Sequence, residues 1–202
     1  MKNNTKNLLA ALMLCLTFFA CKKDKNETPV ATSIVAYNNA NFTLAEGAIF
    51  DYGASAVYGS INTHINYDFY LTDGKIEYST TGEISDIKGK IAVYAELFSA
   101  GITGGFKTGT YNYIDETGDA NLTAAQLKTK YENKQFFSYG FIVVGNDNIN
   151  TSLGNAAEIE VKSGTIKVNG VSPNYSLEFD LLLTNDKTFK GTYNGKFTLT
   201  VD

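Results

Sequence analysis

The sequence predicts an all-β domain, an antiparallel β-sandwich or partly closed β-barrel with one short helix. Three observations predict it. Apolar and polar residues alternate with period two over long stretches, the pattern of strands with one buried face. Those stretches recur between clusters of Gly, Asn, Asp and Thr at the spacing of sandwiches and barrels. The chain also holds 13 Tyr, a residue that suits half-buried pleated surfaces. Residues 33–202 show no composition shift or long linker, so they read as one domain large enough for a single core.

Taken in order, strands are expected near 33–38, 42–45 and 48–52. Residues 61–71 alternate most clearly, with Ile61, Ile65, Tyr67, Phe69 and Leu71 on one face and Asn62, His64, Asn66 and Asp68 on the other. Further strands are expected near 76–80, 90–98 and 109–114. A helix over about 123–133 then interrupts them. Thr123 is its N-cap, Gln126 completes a capping box, and Leu122 with Leu127 forms the hydrophobic staple. Ala124, Leu127 and Tyr131 make a stripe expected to cover one end of the β-core. Strands resume near 136–144 and 159–168, with a turn at Asn146–Asn150. Tyr175 to Leu183 and a strand from 188 to 201 form a hairpin around Thr184–Lys187. Asn194-Gly195 is itself a hairpin signal, but turning there would mix the faces that Phe189, Tyr193, Phe197, Leu199 and Val201 share. The continuous strand is therefore expected, with Gly191 and Gly195 at a bend or close backbone approach.

The N-terminus has a different character. Lys2 and Lys6 precede an uncharged apolar run from Leu8 to Ala20, shorter than the ~20 residues of a membrane-spanning helix, and this is the pattern of a secretory signal. Ala20-Cys21 resembles the cleavage site of bacterial lipoproteins, in which a small residue precedes a cysteine that becomes acylated (palmitate). Phe18 and Phe19 depart from its commonest form. The resemblance implies a signal peptide over 1–20 and a lipidated Cys21, and the polar stretch that follows reads as a flexible tether over 21–32, whose Lys22, Lys23 and Lys25 mainly solvate the chain as it carries the domain away from the lipid headgroups. Cys15 lies inside that signal, so the mature part would have no thiol for a disulfide, a metal site or a nucleophile.

Loss of residues 1–20 would leave 15 lysines against 21 acids, a net charge of −6 without one Arg. An acidic surface lacking guanidinium clamps argues against nucleic acid as a partner.

A wider resemblance runs through Phe42-x-Leu44-x-x-Gly47, Tyr52-Gly53 and Gly109-Thr110-Tyr111-x-Tyr113. It continues through Gly164–Val168, Tyr175–Leu181 and Gly191-x-Tyr193-x-Gly195-x-Phe197. These residues look like those of small, functionally uncharacterised Bacteroidota outer-membrane lipoproteins. The resemblance implies a membrane partner through the lipid anchor and an outer-membrane location on the periplasmic or the surface side. It brings no activity, ligand or catalytic residue.

Candidate chemistry is sparse. His64, the sole histidine, lies on the polar face of its strand and reads as solvated, so its replacement by Ala is expected to leave stability intact. No Gly-x-Ser-x-Gly elbow accompanies it, and Gly104-Gly105 lacks phosphate-loop spacing. Asp115, Thr117, Asp119 and Asn121 alternate as in a calcium loop, but the glycine falls fourth and Gln126 replaces the final Glu. A polar loop leading into a helix cap explains the same residues, and no cofactor is implied. Paired carboxylates could serve a hydrolase, and Glu46, Asp51, Asp68, Glu77 and Glu96 are the candidates, although the sequence alone cannot pair them. Tyrosines stack on sugar faces while hydrogen-bonding through the hydroxyl. Tyr52, Tyr58, Tyr70, Tyr94, Tyr111 and Tyr113 are therefore the candidate platform for a glycan. The expected function is a noncatalytic module binding a glycan or a protein. The alternatives are an exported hydrolase and a structural component of a surface assembly.

Overall fold

A computed structural model describes residues 33–151 and 157–200, without the side chains of 146–151. The cleavage site, Cys21 and the tether expectation lie outside these residues. Twelve strands form one sheet: β1 (Ile34–Tyr37), β2 (Ala40–Thr43), β3 (Glu46–Ser55), β4 (His64–Thr72), β5 (Lys75–Tyr78), β6 (Ile84–Ala100), β7 (Gly109–Tyr113), β8 (Phe136–Phe137), β9 (Gly140–Thr151), β10 (Ile159–Val171), β11 (Asn174–Leu183) and β12 (Thr188–Thr200). Among the described residues one α-helix, α1 (Ala124–Tyr131), interrupts them.

The sheet closes on itself. Its order runs β3-β4-β6-β8-β7-β10-β11-β12, and β12 returns to β3, so eight strands make a closed barrel with the others added to its wall. Closure decides between sandwich and barrel. It is not wholly antiparallel, because β12 pairs β3 and β7 pairs β8 in parallel. A barrel with no free edge satisfies every strand in the ring, which an open sheet of the same strands would not.

Alternation places the core. Ile65, Tyr67, Phe69 and Leu71 of β4 meet Tyr175, Leu177, Phe179 and Leu181 of β11 and Phe189, Tyr193 and Phe197 of β12 inside the barrel. β12 is continuous through Asn194-Gly195 as expected, but the shared face ends at Phe197: Leu199 is 51% exposed and Thr200 is buried in its place. At Gly191, φ is 141° and an added Cβ would lie 2.2 Å from the Ile34 carbonyl oxygen, because β1 pairs with β12 there, Val35 opposite Gly191.

The capping box at Thr123 and Gln126 is present. Its helix covers part of the wall, where Tyr131 packs with Phe98 and Phe136 and with partly buried Leu127 and Tyr58. Ala124, expected in the same stripe, is exposed.

Three expectations need correction. Ile61 is exposed and precedes β4, which begins at His64. Asn146–Asn150 is no turn: it lies within β9, where pairing of Ile149 with Gly89 and Asn150 with Lys88 overrides local turn preference. The third correction concerns the outer face of β4. That strand is buried along its entire length, because apolar clusters cover both faces. Outside the barrel, Ala48, Tyr70, Ile76, Ile87, Ala92 and Val143 pack together at one end, and Phe98, Tyr131 and Phe136 at the other.

Candidate functional site

Between those two outer clusters lies a polar row. Pairing of β4 with β6 sets Asn66 opposite Phe98, Asp68 opposite Glu96 and Tyr70 opposite Tyr94. Their neighbours Tyr67 and Phe69 point into the barrel, so these side chains stand on the outer face of the wall. Directly opposed residues hold their Cβ atoms about 4.5–5.5 Å apart, so the register alone brings two carboxylates together.

Asp68 is only 4% exposed. The Tyr94 hydroxyl donates to Asp68 Oδ2 at 2.9 Å, and Asn66 Nδ2 donates to Glu96 Oε1 at 2.8 Å. Asp68 Oδ1 and Asn66 Oδ1 are buried without a hydrogen-bond partner among the described residues. Burial pushes the Asp68 carboxyl up to about 7, and the Glu96 charge adds to the rise while the hydroxyls of Tyr94, Tyr70 and Tyr52 oppose it. Glu96 is also raised, first by burial and then by Glu116, against the Asn66 amide. Both carboxyls are therefore harder to ionise than in water, and a charge on Glu96 opposes a second charge on Asp68.

Aromatic rings surround the pair. Phe50 stacks on Tyr52 at 5.0 Å, Tyr70 meets Tyr94 at 5.0 Å, and Tyr94 stacks on Phe141 at 5.0 Å and touches Tyr139 at 5.7 Å. Tyr52 at 49% and Tyr139 at 39% are the open rings, one on the β3 side of the carboxylates and one on the β9 side. The Tyr139 hydroxyl donates to Glu158 Oε2 at 2.9 Å, and burial with that partner pushes it up to about 12.

The other sequence candidates are placed elsewhere. Tyr111 is fully buried inside the barrel, and Tyr113 packs against the same core, so neither presents a ring on this face. Tyr58 lies at the α1 end against His64. His64 is 1% exposed rather than solvated, because α1 and Phe136 cover that end of β4. Its ring nitrogens face Thr63 Oγ1 at 2.9 Å and the Lys134 carbonyl at 3.1 Å, and burial lowers its pKa against the raising effect of backbone partners.

The alternating loop is likewise occupied by its own chain. Asp115 Oδ1 accepts from Thr117 N at 2.8 Å, and Asp119 accepts from both Lys130 Nζ and the Tyr131 hydroxyl. No group of three or more metal-ligating side chains suited to an ion occurs among the described residues. Of the remaining acids, Glu46 accepts from Ile76 N at 2.8 Å, Asp51 from Gly53 N at 2.8 Å, and Glu77 pairs with Lys88 at 2.7 Å.

Sequence reasoning missed Asn66, Phe50, Tyr139 and Phe141. One signal pointed to them: Tyr70 shares the parity of Asn66 and Asp68, so the polar face of β4 ends in a large ring. No family model, curated protein or solved structure matches this chain, and the site alone carries the functional argument.

Proposed function

We propose that this chain is an exported lipoprotein, held to the outer membrane by lipid on Cys21, whose barrel is a noncatalytic module that binds a glycan on the face around Asp68 and Glu96. The observation that carries the reading is the conjunction of two open tyrosine rings with half-buried Glu96, backed by Asp68, between them. Rings offer sugar C–H faces a stacking surface, and carboxylates accept hydrogen bonds from hydroxyls. Affinity electrophoresis in gels cast with soluble polysaccharides tests it. The wild-type protein should be retarded by one polysaccharide class and a Tyr52→Ala, Tyr139→Ala double variant should run freely. Equal migration of the two proteins in every gel would refute it. For the anchor, Cys21→Ala should abolish membrane association and leave the unprocessed precursor; unchanged fractionation would overturn that part.

One observation favours a second reading, an exported hydrolase. A carboxyl titrating near neutrality beside a second carboxyl is the equipment of general acid–base catalysis. Binding is preferred because Tyr94 covers Asp68 and leaves half-buried Glu96 as the carboxyl that a sugar hydroxyl reaches. Cavities of about 460 Å3 beside Tyr67 and Tyr175 and about 400 Å3 beside Glu46 and Tyr78 hold neither carboxylate.

A further inference from the structure

The loop between β6 and β7 places Phe106 at one end of the barrel. Its ring lies parallel to Tyr67, 4.4 Å between centroids at 8°, and parallel to Tyr111, 5.4 Å at 4°. Tyr67 and Tyr111 belong to wall strands β4 and β7, whereas Phe106 comes from an irregular segment. The wall thus offers a slot for one flat ring between two tyrosines, and the chain's own loop fills it.

Glycines leave the loop room to rearrange. Gly101, Gly104 and Gly105 adopt φ of 84°, 83° and 73°, and a Cβ at Gly104 or Gly105 would meet nothing within 4 Å. The hydrogen bonds that hold it sit at its ends, where Gly101 N donates to the Thr63 carbonyl at 2.9 Å and the Tyr111 hydroxyl donates to the Lys107 carbonyl. Beside Phe106 opens the cavity of about 460 Å3, bounded by Tyr67, Gly104, Val171 and Tyr175, a size within the range of small-molecule sites. Lys107, the one charged side chain on its lining, directs its ammonium to the Ala100 carbonyl, so the cavity offers a ligand rings and backbone rather than charge.

We propose that this barrel mouth is a binding site for a small uncharged ligand with a planar aromatic ring, which enters the slot between Tyr67 and Tyr111 as Phe106 withdraws. It is separate from the Asp68–Glu96 face. Phe106 competes with the ligand from within the chain, so the observed affinity is reduced by the fraction of molecules in which the slot is open.

Titration with N-phenyl-1-naphthylamine, an uncharged aromatic dye that brightens in apolar surroundings, tests the site. The expected result is saturable binding that Phe106→Ala tightens at least tenfold and that Tyr52→Ala with Tyr139→Ala leaves unchanged. Absence of saturable binding, or an affinity that Phe106→Ala leaves equal or weaker in a cooperatively melting protein, would overturn the proposal. Should Phe106→Ala fail to fold, Val171→Glu decides, since Val171 is 72% exposed at the rim and a charge there costs the fold little. A several-fold loss of dye affinity supports the site, and an unchanged affinity refutes it.

Discussion

Replacing Asp68 by Asn should stabilise this protein at alkaline pH. The Asp68 carboxyl rises from an ordinary 3.8 to about 7 in the folded chain. The folded state therefore binds its proton more tightly than the unfolded state. This contribution to stability is fully present below pH 3.8 and is lost as pH rises through about 7. Each pKa unit is worth about 1.4 kcal/mol, so the full penalty at pH 8 has an upper bound of about 4 kcal/mol. Relaxation around the pair lowers the expected value to about 2 kcal/mol, or a rise in Tm of roughly 4–8 °C for a domain of this size. Asn keeps an oxygen for the Tyr94 hydroxyl and carries no charge to repel Glu96. Thermal melts of both proteins from pH 4 to pH 8 make the comparison. The variant should gain most at pH 8, with the difference shrinking steadily toward pH 4. A variant no more stable than wild type at pH 8, or a difference independent of pH, would refute the buried-proton argument.

Three further outcomes are expected. His64→Ala should cost about 2–4 kcal/mol in denaturant melts, because it empties a packed site and leaves the Lys134 carbonyl without its partner. Burial makes the ring harder to protonate in the folded chain than in the unfolded one, so wild-type stability should fall as pH drops from 6.5 through the lower folded value, and the variant should not show that loss. Gly191→Ala should cost about 2 kcal/mol or more, since its Cβ collides with the β1 backbone; an unchanged melting temperature would contradict that close approach. Thr123→Ala removes the capping box and should cost about 1 kcal/mol, read as faster amide exchange in the first turn of α1.

Periodicity carried most of the barrel. The phase of Phe189, Tyr193 and Phe197 excluded a turn at Asn194-Gly195, and Thr123 with Gln126 marked the start of the helix to the residue. Closure was not legible, because it depends on which distant strand receives the free edge of β12, and alternation is silent about partners. The reading of β4 failed for a related reason. His64, Asn66 and Asp68 alternate with apolar residues as a solvated face would, yet that face is covered by rings from β3, β6, β9 and α1. Asp68 and Glu96 were both recognised as candidate acids, and only the register made them a pair.

The seam that closes the barrel also sets the order in which the chain can fold. Thr200 Oγ1 donates to the Ile49 carbonyl across 151 positions, so β3 meets its final neighbour only when β12, the last of the described strands, is in place. Pairings of such separation are slow to find, and folding on the millisecond-to-second scale is the expectation for this topology. Until then the outward edges of β3 and β11 stand open to strands of other molecules, which makes the interval before closure the period of greatest exposure to aggregation.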